Sequence, residues 1–240
     1  MALNTPFIGV NHVEAHLYAA MMAQKTPRLF PALGVVLSGG HTFLVKILDV
    51  GRYELIGQTV DDAIGEAFDK VASFLNLPYP GGPHIEKLAK IGDSKKYTFQ
   101  AGRVKTDPFA FSFSGLKTSV LYSVKGKGSN KKSPTIIPDE EKAHIAASFQ
   151  KTAFLDVVNK SIKAMEAFDL KAIYLGGGVC VNQALRSYFS LLATNYPLFF
   201  APNELCMDNA AMIAGLGYHL YQKRPYSDPL DLEALTRIPI

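Results

Sequence analysis

The chain has 240 residues, 48% hydrophobic and 19% charged, with a formal charge of +4. Those proportions fit a soluble globular protein of one large or two modest domains with a sizeable core. No apolar run is long enough to span a bilayer, no signal peptide is visible, and two cysteines, Cys180 and Cys206, give no disulfide framework. A membrane-spanning protein and a disulfide-stapled secreted scaffold are therefore excluded, and a reducing, cytoplasmic setting is expected. The mild positive charge permits a nucleic-acid partner without demanding one.

Near the start stands Asn11-His-Val-Glu-Ala-His-Leu17. Positions i and i+4 share one face of a helix, so His12 and His16 can face one cation, with Asn11 as N-cap. The same spacing also fits two unrelated histidines, and a metal site needs a third ligand. Pro31 to Leu37 reads as a strand, ending at Ser38-Gly-Gly-His-Thr42. Strands are expected at Phe43 to Leu48 and Tyr53 to Thr59, the first joined to its predecessor by a Gly-rich hairpin corner. Asp61 to Asn76 reads as an amphipathic helix with Ile64, Phe68, Val71, Ala72 and Leu75 on one face. Tyr79-Pro-Gly-Gly-Pro83 breaks it, and a short helix is expected from His84 to about Ile91. Another short helix follows Phe111-Ser-Phe-Ser-Gly-Leu-Lys117.

Lys125-Gly-Lys-Gly-Ser-Asn-Lys-Lys132 reads as a mobile solvated loop or a phosphate-backbone contact. Asp139 is expected to cap a long helix to about Phe168. Lys171 to Leu175 reads as a strand, Gly176-Gly-Gly178 as a tight turn, and Val181 to Ala193 as a helix. Pro197 to Phe200 reads as a buried strand, after which Asp208 and Asn209 open a helix through about Tyr221. Asp208 is a candidate N-cap, and also a candidate third ligand, because strand-loop-helix junctions gather site residues. Two imidazoles and one carboxylate with open positions suit iron(II) or zinc. Strands alternating with helices make this an α/β protein.

The glycine turns at Gly39-Gly40 and Gly176–Gly178, with Gly81-Gly82, point to a shared nucleotide cleft, since glycine lets backbone N–H groups approach a phosphate. Neither a P-loop nor the dinucleotide fingerprint is present. Asn182 can reach ribose or base, or simply open a helix. Asp69 lies mid-helix, where it can meet a ribose hydroxyl, or bond locally to Lys70 or Ser73.

Together these motifs resemble the TsaD family, the bacterial tRNA threonylcarbamoyladenosine transferases. The resemblance rests on His12-Val-Glu-Ala-His16, Ser38-Gly-Gly-His-Thr42, Asp61 to Lys70, Tyr79 to Pro83, Phe111 to Lys117, Gly176 to Val179 with Asn182, and Asp208-Asn209, in this order. It implies an actin-like ATPase fold, of the sugar-kinase, heat-shock-ATPase and ribonuclease H-like kind, with two lobes. It implies transfer of the threonylcarbamoyl group of threonylcarbamoyl-AMP to the adenosine beside the anticodon, position 37, in tRNAs reading ANN codons, with AMP released. His12, His16 and Asp208 would hold one divalent metal, iron(II) before zinc. Val36, Leu37, Ser38, Gly39, Gly40, Asp69, Gly82 and Asn182 would contact the adenylate. Glu86 stands where the family often has Asp. TsaB-like and TsaE-like proteins would be partners, beside tRNA, with no membrane.

Family members usually begin well before the histidine pair, so the N-terminal lobe is expected to be incomplete. Residues 1–30 would be its remnant with the metal-binding helix. Residues 31–205 would form the C-terminal nucleotide-binding lobe, and 206–240 would return the ligand Asp208 and the last helix to the N-terminal lobe. The rival readings are an ATPase or phosphotransferase of the same fold, a non-catalytic scaffold, and a metalloendopeptidase. The last lacks the H-E-x-x-H spacing, because Glu14 stands two residues after His12, about 200° around the helix.

Overall fold

The apolar run from Ala32 to Leu37 becomes the middle of a five-stranded sheet. The computed structural model describes residues 5–22 and 24–235. In it β1 (Ala32–Leu37) is buried along its whole length. A strand covered on both faces needs a continuous apolar sequence rather than an alternating one. β2 (Thr42–Asp49) and β3 (Arg52–Gln58) continue it as an antiparallel meander, with Leu37 opposite Thr42 at the first corner. β4 (Ile173–Gly176) lies parallel to β1, and β5 (Leu198–Phe200) parallel to β4, giving the order β3-β2-β1-β4-β5. β5 is half-buried rather than buried as expected, because it is the last strand of the sheet and has a neighbour on one side only.

The helices are α1 (His12–Met22), α2 (Ile64–Phe74), α3 (Gly81–Ala89), α4 (Ser114–Lys125), α5 (Asp139–Ala167), α6 (Gln183–Leu192), α7 (Asn203–Cys206) and α8 (Ala210–Lys223). α5 packs on α3 and on β1, while α1 packs on α8 and across β4. Phe68 of α2 stacks on Phe154 of α5, centroids 5.1 Å apart, and meets Phe149 at a tilt, centroids 4.8 Å apart, in a core that extends from Val13 to Leu216. Burying each such ring contributes roughly 1.5–3 kcal/mol.

Several helix starts differ from the sequence expectation, each for a local reason. α2 begins at Ile64, not Asp61. Asp61 instead accepts from the Ser112 hydroxyl (2.5 Å) and the Phe113 N–H (2.8 Å) at the start of α4. Asp62 pairs with Lys70 (2.6 Å) and Lys117 (2.5 Å). α3 starts at Gly81, three residues before His84, because the Asp69 carboxylate accepts the Gly81 N–H (2.7 Å). Pro138, not Asp139, occupies the cap position of α5; Asp139, Glu140 and Glu141 place negative charge in its first turn, where the helix dipole favours it. α6 starts at Gln183, behind a short 3-10 turn over Gly178–Val181.

The basic stretch also changes character. Lys125 is the buried last residue of α4, and its ammonium donates to the carbonyls of Lys131 and Ser133, both at 2.7 Å. That ties the following turn to the helix and leaves Lys127, Lys131 and Lys132 exposed.

At the chain ends, the Asp228 N–H donates to the Phe7 carbonyl (2.7 Å), and the Phe7 N–H donates to the Ser227 hydroxyl (2.9 Å). Residues 1–4 and 23 of the expected first span, and 236–240 of the last, lie outside the described residues.

Candidate metal centre

The site begins with the cap of α1. The Asn11 side-chain oxygen accepts the N–H groups of Val13 (2.9 Å) and Glu14 (3.3 Å), as expected of an N-cap. One turn of helix then brings the rings of His12 and His16 to a centroid distance of 4.8 Å, nearly perpendicular at 81°. Glycines let α1 settle close to its neighbours. A β-carbon at Gly176 would overlap the His16 carbonyl, and one at Gly215 would meet the Tyr18 ring at 2.5 Å. His16 is therefore buried (side chain 5% exposed), whereas His12 at 49% faces solvent.

Asp208 arrives from the other end of the chain, between α7 and α8. It does not cap α8. Asn209 does, accepting the Met212 N–H (2.9 Å) while donating to the carbonyls of Leu205 (3.2 Å) and Met207 (2.9 Å). That leaves the Asp208 carboxylate free of the helix. Its Oδ1 lies 3.2 Å from both His12 Nε2 and His16 Nε2. The donor atoms of the three residues all fall within 4.8 Å of one another. Bonds of about 2.0–2.2 Å place tetrahedral donors roughly 3.4 Å apart, so the cluster has the size of one coordination shell.

The electrostatics also fit a cation. Burial, then the neighbouring His12, holds the His16 imidazole below its ordinary pKa against the opposing pull of Asp208. His16 is thus neutral at pH 7, with the lone pair a metal requires. Its other nitrogen, Nδ1, is buried with no hydrogen-bond partner among the described residues. Leaving such a group unpaired costs on the order of 1–3 kcal/mol, a cost a packing position avoids by using an apolar residue. Two imidazoles and a carboxylate with open positions match the donor set of catalytic iron(II) or zinc.

A third imidazole, His41, was not singled out by the sequence. Burial, then His12, holds its pKa down as well. It sits in the corner after β1, where the Ser38 N–H donates to its carbonyl (2.8 Å) and its own N–H donates to the Ser38 hydroxyl (3.0 Å). No motif spacing marks it, because its nearness to His12 is a tertiary fact.

The residues expected to meet the adenylate fall into three groups. Val36 and Leu37 are wholly buried in β1, and Ser38 leads the chain out of the sheet. Gly39, Gly40 and Gly82 have no atom within 4 Å of where a β-carbon would stand, so a ligand can approach their backbone. Asp69, Glu86 and Asn182 are engaged with the protein. Asp69 holds the Gly81 N–H, not Lys70 or Ser73, and Lys70 turns to Asp62 and Glu66. Glu86 accepts the Gln183 N–H (2.9 Å), joining α3 to α6. Asn182 caps α6 through the N–H of Ala184 (2.9 Å) and donates to Gln150 (3.0 Å).

The turn at Gly176-Gly177 is a packing joint rather than an open cradle. The His16 carbonyl fills the space at Gly176 and the Leu37 carbonyl that at Gly177, whose φ is +96°. The joint sets the His16 turn of α1 against the end of β4, and the next residue, Gly177, against the end of β1. Glu14 is outside the cluster of His12, His16 and Asp208, and burial pushes its carboxyl up.

Residues 1–215 match the family profile described as "TsaD: tRNA N6-adenosine threonylcarbamoyltransferase". A protein of that name from Protochlamydia amoebophila is 55% identical over 240 residues, covering all of this chain and 70% of the relative. One from Chlamydia felis is 52% identical over 225 residues, covering 91% of this chain and 63% of the relative. The chain thus spans roughly two thirds of their length. Among solved structures, T. kodakarensis HypF superposes with a TM-score of 0.66 at 17% identity, over 91% of this chain and 38% of that one. Full-length HypF in its phosphate- and nucleotide-bound form gives 0.65 at 14% identity, over 94% of this chain and 38% of that one. At such identities the likeness concerns the fold alone, the actin-like ATPase type. A profile match over most of the sequence, with relatives near half identical, settles the lineage: the chain belongs to the TsaD family.

Proposed function

We infer that this chain carries the threonylcarbamoyl-transfer centre of a tRNA-modifying enzyme. The substrate would be threonylcarbamoyl-AMP, and the acceptor the N6 amine of adenosine 37 in tRNAs reading ANN codons. The observation that carries the reading is the meeting of His12, His16 and Asp208, from opposite ends of the chain, with His41 of the Ser38–Thr42 corner near enough to His12 for the two rings to interact. The amine nitrogen attacks the carbamoyl carbon, the bond from that carbon to the phosphate oxygen breaks, AMP leaves, and the amine gives up one proton.

His12, His16 and Asp208 would hold a divalent cation, iron(II) before zinc, which when bound supplies Lewis-acid polarisation worth several kcal/mol. His16, kept neutral by burial, is ready to coordinate without losing a proton. Gly39, Gly40 and Gly82 leave room for the adenylate backbone-to-phosphate. Asp69, Glu86 and Asn182 fix the helix starts that frame it, and Val36, Leu37 and Ser38 anchor the corner to the sheet. Residues 31–205 would be the nucleotide-binding lobe, with 1–30 and 206–240 supplying the metal ligands. TsaB-like and TsaE-like proteins would complete the enzyme in the cytoplasm; no helix of the described residues is long and apolar enough to cross a membrane.

The test is mass spectrometry of tRNA nucleosides after incubating the chain with tRNA and threonylcarbamoyl-AMP, with and without those partners. Threonylcarbamoyladenosine and AMP are expected. A paired His12→Ala, His16→Ala variant should lose both products and its metal by elemental analysis. ADP made from ATP, with no modified nucleoside, would favour a phosphotransferase. Metal at full stoichiometry in the double variant would sink the ligand assignment.

A further inference from the structure

A groove unrelated to the metal ligands runs between the segment 94–103 and α5. Its volume is about 1010 Å³. That stands at the top of the range for small-molecule pockets, roughly 300–1,000 Å³, so the groove is large for one compact ligand. Three cations line it, Lys95, Arg103 and Lys151, and none enters an ion pair among the described residues. Nearby lysines differ: Lys96 pairs with Glu141, and Lys160 with Asp156 at 2.8 Å. Asp156, the one carboxylate in the lining, is therefore already neutralised. Tyr97 and Phe99 line the same groove with their rings parallel, 8° apart with centroids 6.0 Å apart.

Unpaired cations beside flat aromatic rings are what a single-stranded stretch of polynucleotide requires. The cations take phosphates, and bases stack on the rings whatever their identity. An acidic protein would use the charges but has less use for the rings. The groove also connects to the proposed centre. Lys151 follows Gln150, the residue that holds Asn182 at the start of α6, so one wall of the groove is one residue away from a residue that frames the proposed adenylate site.

We propose that the groove lined by Lys95, Tyr97, Phe99, Arg103 and Lys151 holds an unpaired stretch of the tRNA substrate. This rests on the tRNA-modifying reading above and adds where the RNA lies. It is preferred to the basic turn after α4, where Lys125 is occupied by two carbonyls and no aromatic ring lies among residues 125–132.

The experiment measures binding of unmodified tRNA to the chain by fluorescence anisotropy across a salt series. The wild type is compared with the triple variant Lys95→Ala, Arg103→Ala, Lys151→Ala and with Phe99→Ala. Losing three phosphate contacts should lower the slope of log K against log salt by about 2, with affinity falling at least tenfold at low salt. Phe99→Ala should weaken binding about tenfold with the slope unchanged. Ultraviolet crosslinking of wild-type chain to tRNA supplies a readout that needs no variant, and crosslinked peptides should include residues 94–103. An unchanged Kd and slope in the triple variant, or crosslinks confined to other segments, would overturn the proposal. So would retained tRNA affinity together with lost binding of an acidic protein partner. Absence of any tRNA binding by the wild type would instead tell against the tRNA-modifying reading itself.

Discussion

At Gly176 the backbone of β4 touches the backbone of α1 at His16, with no space for a side chain between them. Gly176→Ala should push α1 outward, at a cost of about 1–3 kcal/mol, the usual range for overpacking. Because His16 rides on the displaced turn, metal affinity should fall at least tenfold. Gly39→Ala is the control: nothing stands near its β-carbon position, so stability should stay within about 0.5 kcal/mol. Urea denaturation and metal titration of both variants check this; equal behaviour would count against the joint. The histidine spacing and the Asn11 cap were legible in the sequence, because both are set within one helical turn. The division of labour between Asp208 and Asn209 was not. Either side chain can cap a helix, and of the partners that decide, Met212 is local while the two imidazoles lie at the other end of the sequence and are brought in only by the fold.

Among the elements, α2 and α4 are joined by Asp62, which binds Lys117 and Lys70 while only 14% exposed. Burial pushes its carboxyl up, but hydrogen bonds from Lys117 and Lys70 outweigh that and hold the pKa below the usual value. The charged form is thus favoured by folding. The stabilisation is present above about pH 4 and is lost as pH falls through the lowered native pKa. Asp62→Asn should cost about 1.5–3 kcal/mol at pH 7 and flatten the acid side of the stability profile. Chemical denaturation between pH 7 and 3 measures it; a parallel shift at all pH values would dissociate Asp62 from acid stability. β1 was readable from its unbroken apolar run, and α2 from its 3.6-residue period. The start of α3 was missed because Gly-Gly-Pro is a poor helix former, and its stabilising partner, Asp69, belongs to the preceding helix. α7 was missed because four residues carry no period.

For the molecule as a whole, alternating strands and helices announced an α/β fold, and the sheet order agrees. The periodic pattern does not convey how α1 and α8 pack together; only the shared ligand types, His12 and His16 on one side and Asp208 on the other, linked them. The groove along α5 was equally hidden: its second wall, residues 94–103, has no regular structure to predict. If one cation bridges His12, His16 and Asp208, it binds the folded chain and not the unfolded one. At a hundredfold excess over Kd it should add about 2.7 kcal/mol, raising Tm by about 5–10 °C, and a chelator should reverse the shift. Differential scanning calorimetry with iron(II) under anaerobic conditions, and with zinc, tests this. An unmoved Tm at saturating metal would mean that the three residues do not act as one ligand set.

The tie between Phe7 and Ser227–Asp228, one backbone hydrogen bond and one to the Ser227 hydroxyl, has a mechanical consequence. Tension applied between those two segments would not reach the sheet directly. It would first open the few hydrogen bonds of that tie and then prise α1 from α8, separating the imidazoles from the carboxylate while β1 to β5 stayed paired. The cluster of His12, His16 and Asp208 is therefore held closed by the junction of the two chain ends, and comes apart before the sheet does.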